Sequence, residues 1–190
     1  MKHTWQVHGR LKHRWVAGAT YFVTFVKIRK LPEFSDSERL EIFNAIMHFH
    51  PSRYWLYACV VMNDHVHVVL KPNSRFTLEK IIHSWKSFTT NVLQRMSQRK
   101  KEIWLRGYYD IILKTDCSLQ RCVRYVAANP FARWPALSHY RYGTIDPSLP
   151  PGLCAPPHPV NTQIVPGLRA RQHINGSVPN TASAPGRKQL

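Results

Sequence analysis

Tyr54-Trp55-Leu56-Tyr57-Ala58-Cys59-Val60-Val61, then Met62-Asn63-Asp64, then His65-Val66-His67-Val68-Val69-Leu70 read as two β-strands joined by a tight turn. Both flanks are rich in β-branched and aromatic residues, which favour strands. Asn and Asp suit the link because their short side chains hydrogen-bond the local backbone. Alternation along the second strand puts His65, His67 and Val69 on one face. Val66, Val68 and Leu70 take the other face and suit a helix-covered core.

The elements on either side follow from period and punctuation. Thr20–Ile28 is aromatic and β-branched and predicts a strand. Ser35 or Asp36 can cap a helix running to about Phe49, with Leu40, Phe43, Ile46 and Met47 on its apolar stripe. Downstream, Thr77–Ser97 predicts a long helix whose stripe is Leu78, Ile81, Ile82, Trp85, Phe88, Val92 and Met96. Gly107 opens a strand over Tyr108–Lys114, and Asp116–Asn129 predicts a third helix stopped by Pro130. The order β-α-β-β-α-β-α begins with the split βαβ pattern. The expected class is therefore α+β: a ferredoxin-like antiparallel sheet of strand order 4-1-3-2, two helices on one face and an extra C-terminal helix. The other sheet face is expected to stay open for a site or a nucleic acid.

Charge and composition narrow the function. The chain has 190 residues, 27 Lys+Arg against 10 Asp+Glu, and a net charge of +17. Its 44% hydrophobic and 12% aromatic content excludes global disorder. No run of about 18 apolar residues codes a membrane helix, and the polar start Met1-Lys2-His3 is not a secretory signal. Cys59, Cys117, Cys122 and Cys154 show no CxxC spacing, so free thiols in a reducing cytosol are expected. The organisation reads as a basic arm over 1–15, a folded domain over 16–146 and a Pro-rich, disordered tail over 147–190. The tail holds nine of the fourteen Pro, no Asp or Glu, and only +4 of the charge. The remaining +13 belongs mainly to the folded part, so a polyanion is the expected partner, with nucleic acid ahead of membrane.

Two groups of residues could do chemistry. His65 and His67, about 6.5–7 Å apart along a strand face, can be two hydrogen-bonded surface imidazoles or can jointly hold a divalent cation. On the third helix Leu119, Cys122, Val123, Val126 and Ala127 form the buried stripe. Tyr125 sits roughly 120° from its centre at about 100° per residue. Arg121, Tyr125 and Asn129 step by four along one flank, which is either an active-site face or a Tyr turning its hydroxyl to solvent.

Met62-Asn63-Asp64-His65-Val66-His67-Val68-Val69-Leu70, then Ile103-Trp104-Leu105-Arg106-Gly107-Tyr108-Tyr109-Asp110, then Tyr125-Val126-Ala127-Ala128-Asn129-Pro130 resemble, in order and spacing, the REP-associated tyrosine transposases, single-tyrosine HUH endonucleases. The resemblance covers roughly Tyr21 to Arg133. It implies that His65, His67 and Asn129 bind Mg²⁺ or Mn²⁺ and that Tyr125 is the nucleophile. It also implies cleavage of single-stranded DNA at or near hairpin elements through a 5′-phosphotyrosine, in DNA transposition, by a monomer or a homodimer associated with the nucleoid in a bacterial cytoplasm. Relatives often have Pro-Asn or Pro-Glu where this chain has Asn63-Asp64, Gln where it has Leu105, and V-x-A-G-L-V where it has Phe131-Ala132-Arg133-Trp134.

Tyr108 and Tyr109 are competing nucleophiles, strand-forming aromatics or base-stacking groups. Lys86, Arg106, Arg121, Arg124, Lys100 and Lys101 are the candidate nucleic-acid contacts. Two rival readings are a non-catalytic DNA- or RNA-binding module stacking bases on Tyr21 and Phe25, and a hydrolytic metal nuclease in which Tyr125 is structural.

Overall fold

The computed structural model describes residues 15–97 and 102–149. The basic arm up to residue 14, the tail from residue 150, and Lys100 and Lys101 lie outside the described residues. The elements are β1 (Thr20–Val26), α1 (Asp36–Met47), β2 (Tyr54–Val61), β3 (His65–Pro72), α2 (Leu78–Ser97), β4 (Tyr109–Leu113), α3 (Asp116–Arg133) and β5 (Gly143–Ile145). They form one sheet of order β4-β1-β3-β2-β5 with antiparallel pairing throughout. The order 4-1-3-2 expected from sequence is present with β5 added at the β2 edge. Three residues are too few to show a period, so β5 is not legible before the chain is folded.

Local signals set most element ends. The Ser35 hydroxyl accepts from the Glu38 amide while the Glu38 carboxylate accepts from the Ser35 amide, a capping box that starts α1. Thr115 and Ser118 make the same reciprocal pair at the start of α3. The expected stop at Pro130 is not observed. Pro130 is buried inside the last turn of α3, where it forfeits one amide donor, and the helix runs on to Arg133. The α1 stripe is also rotated from expectation, with Ile42 and Ile46 buried and Leu40 43% exposed. Phe88 and Met96 of α2 are likewise exposed rather than buried.

The sheet separates two apolar layers. Tyr21, Val23, Phe25, Val66, Val68 and Leu70 pack with Ile42, Ile46 and Trp85 beneath α1 and α2. Phe22, Ala58, Val60 and Val69 pack with Val123 and Val126 of α3. The face expected to be open is therefore covered by α3, because the apolar stripe of α3 needs a surface to bury against. This is a correction to the open sheet. A register shift between Leu56 and Ala58 moves β2 by one residue and sets Val60 opposite His67. Cys59 and Cys122 are free thiols, and Cys154 lies outside the described residues.

Candidate active site

Strand alternation and pairing register build one half of the site. His67 pairs with Thr24 of β1, and Thr24 in turn pairs with Tyr109 of β4, so these side chains form a row on the α3 face. His67 is 1% exposed. Its Nδ1 lies 2.7 Å from the Thr24 hydroxyl, and its ring stacks on Phe22 at 5.5 Å. Burial first, and the neighbouring His65 second, hold the His67 imidazole well below the usual histidine range, so it stays neutral. His65 is half-buried, and its Nδ1 lies 2.6 Å from a carboxylate oxygen of Asp64. That contact keeps Asp64 below the usual carboxylate range. The two imidazole centroids are 4.6 Å apart.

Helix α3 builds the other half. Val123 and Val126 are buried against the sheet and fix the rotation of the helix. Tyr125 consequently lies at the edge of that contact, half-buried, with its ring 5.2 Å from His67 and 5.9 Å edge-on from Phe22. Burial raises the Tyr125 phenol above its ordinary value, while a side-chain hydrogen bond with Asn129 acts in the opposite direction. The one-turn step from Tyr125 to Asn129, visible as i, i+4 in the sequence, is thus a physical contact. The structure brings His65, His67, Tyr125 and Asn129 of one chain together.

The donor set suits a cation that must keep open positions. Each imidazole has its Nδ1 occupied by a protein oxygen, which leaves Nε2 as the free ring atom. A neutral His67 has a lone pair to offer. Among the described residues no three His, Cys, Asp or Glu side chains converge, and the Asn129 carboxamide, hydrogen-bonded to Tyr125, is a neutral donor near the imidazole pair. Mg²⁺ and Mn²⁺ accept such mixed sets with remaining positions for water or phosphate oxygen.

A family model described as "Transposase IS200 like" matches residues 19–129. The chain belongs to the IS200-like transposases. The resemblance read from the three motifs therefore holds at the level of family. The transposase shares its fold with a structure of a REP-associated tyrosine transposase bound to a REP hairpin, at TM-score 0.57 and 16% identity over 66% of this chain and 74% of that one. A second structure, assigned as a transposase from Deinococcus radiodurans R1, aligns at TM-score 0.42 and 14% identity over 64% of this chain and 96% of that one. No curated protein sequence matches the chain.

The remaining candidates in the transposase divide. Arg106 and Arg121 are exposed, and Arg124 is half-buried on α3. Lys86 is not the outward-facing cation that its sequence position suggests. Its ammonium donates to the carbonyls of Leu105 and Gly107 at 2.8 and 2.7 Å, and burial lowers its pKa to about 8. It is turned inward because the segment after Trp104 passes over α2, where Trp104 Nε1 donates to the Thr89 hydroxyl at 2.9 Å. Tyr21 and Phe25 are fully buried on the α1–α2 side, so neither can stack a base. Tyr108 is buried in the same layer, and Tyr109 is half-buried on the α3 side. Thr24 and Asp64 are the residues that sequence reasoning missed. Asp64 carries a local signal, adjacency to His65, whereas Thr24 is 43 positions from His67 and carries none. No described helix is long and apolar enough to cross a membrane.

Proposed function

We propose that the chain is a metal-dependent single-stranded DNA endonuclease and strand transferase acting at or near hairpin elements through a covalent 5′-phosphotyrosine on Tyr125. One observation carries this reading: the Tyr125 ring lies 5.2 Å from His67, which lies 4.6 Å from His65, all within one chain. Membership of the IS200-like transposases supports DNA transposition as the setting. The fold-sharing tyrosine transposase is bound to a REP hairpin, which supports a hairpin-bearing strand as substrate.

The chemistry follows from the residue types. His65 and His67 through Nε2, with the Asn129 carboxamide, would hold Mg²⁺ or Mn²⁺. A bound divalent cation polarises the scissile phosphate and neutralises charge developing on it. Tyr125 Oη forms the new bond to phosphorus, and the bond from phosphorus to the 3′-oxygen breaks. The phenol proton leaves Oη and a proton joins the departing 3′-oxygen. One phosphodiester replaces another, so a later attack by a different 3′-hydroxyl rejoins strands without ATP. Asn129 aims the phenol and offsets the cost of ionising it in a half-buried position. Arg121, exposed one turn before Tyr125, would meet a phosphate of the bound strand.

The test is to incubate the protein with labelled hairpin-bearing single-stranded DNA and Mg²⁺ and to look for a protein–DNA adduct on a denaturing gel. The wild type should form it, EDTA should abolish it, and Tyr125→Phe should not form it. Tyr109→Phe should retain it. An adduct formed by Tyr125→Phe at the wild-type rate would overturn the assignment. A protein that binds equally in EDTA and never becomes attached is a binding module instead.

A further inference from the structure

A cleft of about 840 Å³ opens beside the site, between the start of α1, the β2–β3 turn and the segment after α3. Its walls are tied to the end of β2 and to the turn that leads into β3, the strand that carries the imidazoles. The Tyr140 hydroxyl donates to the Val61 carbonyl at 2.6 Å, and the Val61 amide donates to the Tyr142 carbonyl at 2.9 Å. The Phe34 amide donates to the carbonyl of Asn63, which itself lines the cleft two residues before His65. Asn63 belongs to the turn directly before His65, and Arg133 of the cleft wall joins His65 in lowering the pKa of Asp64, the carboxylate that contacts His65, so the cleft adjoins the proposed cation ligands.

The chemistry of the walls is that of a base-stacking site. Trp134 and Tyr140 stack nearly parallel, with centroids 5.8 Å apart at 20°. The guanidinium of Arg39 lies 4.8 Å from the Tyr142 ring and 5.8 Å from Trp134, giving a second planar surface. Arg39 is paired with Asp36, yet its Nε is buried and has no hydrogen-bond partner. Arg133 and Arg141 are exposed at the cleft and outweigh the acidic pair Glu33 and Asp36 once Arg39 is included. Flat π-surfaces combined with arginines fit an unpaired nucleotide, since every base has a π-face and every phosphate a negative charge. The aromatic residues at 134–142 lie beyond the matched stretch 19–129, so family membership does not account for the cleft.

We propose that this cleft, walled by Arg39, Trp134, Tyr140 and Tyr142, binds one unpaired base of the DNA strand adjacent to the phosphate that Tyr125 attacks. The inference rests on the endonuclease reading above and adds the element that selects the position of cleavage.

The test places 2-aminopurine at successive unpaired positions flanking a hairpin oligonucleotide and measures its fluorescence with the full-length protein. Stacking should quench the probe strongly at one position and weakly elsewhere. Trp134→Ala should remove that quench and weaken binding of the flanked hairpin roughly 5- to 150-fold, the range expected for one lost base stack. Trp134→Phe should restore most of both. A blunt hairpin without single-stranded flanks should bind wild type and Trp134→Ala equally. If the wild type binds and forms the Tyr125 adduct but no position is quenched, the cleft proposal falls and the endonuclease reading stands. If neither binding nor adduct occurs, both fall.

Discussion

The hydroxyl of Thr24 on β1 lies 2.7 Å from Nδ1 of His67 on β3, buried in the middle of the sheet. With the proton on Nδ1, the ring donates to Thr24 and keeps a lone pair on Nε2, its centroid 4.6 Å from that of His65 and 5.2 Å from that of Tyr125. Thr24→Val should therefore weaken cation binding about 10- to 100-fold, as loss of a ligand's hydrogen-bond partner does. It should also cost roughly 1–3 kcal/mol of stability, because a buried ring nitrogen is left unpaired. Mn²⁺ titration and urea unfolding measure the two effects, and Thr24→Ser should recover both.

Asp64 does for His65 what Thr24 does for His67, but from solvent. Asp64→Ala should raise the Mn²⁺ concentration needed for half-maximal adduct formation about 10- to 100-fold. The rate at saturating cation should change much less. Metal-free hairpin binding should be unchanged. A lowered maximal rate with an unchanged cation requirement would assign Asp64 a different task.

The buried neutral His67 makes the metal-free protein acid-sensitive. Its folded-state pKa is depressed by burial, so near and below an ordinary histidine value of about 6.5 the unfolded chain takes up a proton that the folded chain refuses. Stability rises with pH wherever the unfolded state binds more protons, so it should fall as pH drops below about 6.5. The loss ends once pH passes below the folded value, where both states are protonated. The urea midpoint compared at about pH 7.5 and pH 5.5 should drop less in His67→Gln than in wild type.

Lys86 and Arg106 should separate in salt dependence. Lys86 is bound to carbonyls of the segment that follows Trp104, whereas Arg106 is exposed on that segment. Arg106→Ala should reduce the slope of log affinity against log salt by about 0.7 if it meets a single-strand phosphate. Lys86→Met should leave the slope unchanged and instead increase protease cleavage near Leu105–Gly107. A reduced slope in Lys86→Met would show that the ammonium leaves its carbonyls to meet DNA.

Residue periodicity determined a good deal by itself. Alternation put His65 and His67 on one face, the tight turn at Asn63-Asp64 paired β2 with β3, and the off-stripe position of Tyr125 set it apart from the buried Val123 and Val126. These are local properties, fixed by the two-residue period of a strand and the 3.6-residue period of a helix. Only the tertiary structure decided which face met which. It laid α3 over the face that alternation left open, and it sent Tyr21 and Phe25 into the opposite layer. It also turned Lys86 inward and set Thr24 against His67 across two strands. Those outcomes depend on pairing register and on how apolar stripes find surfaces to bury. They are decided by residues far apart in the chain, which no local period records.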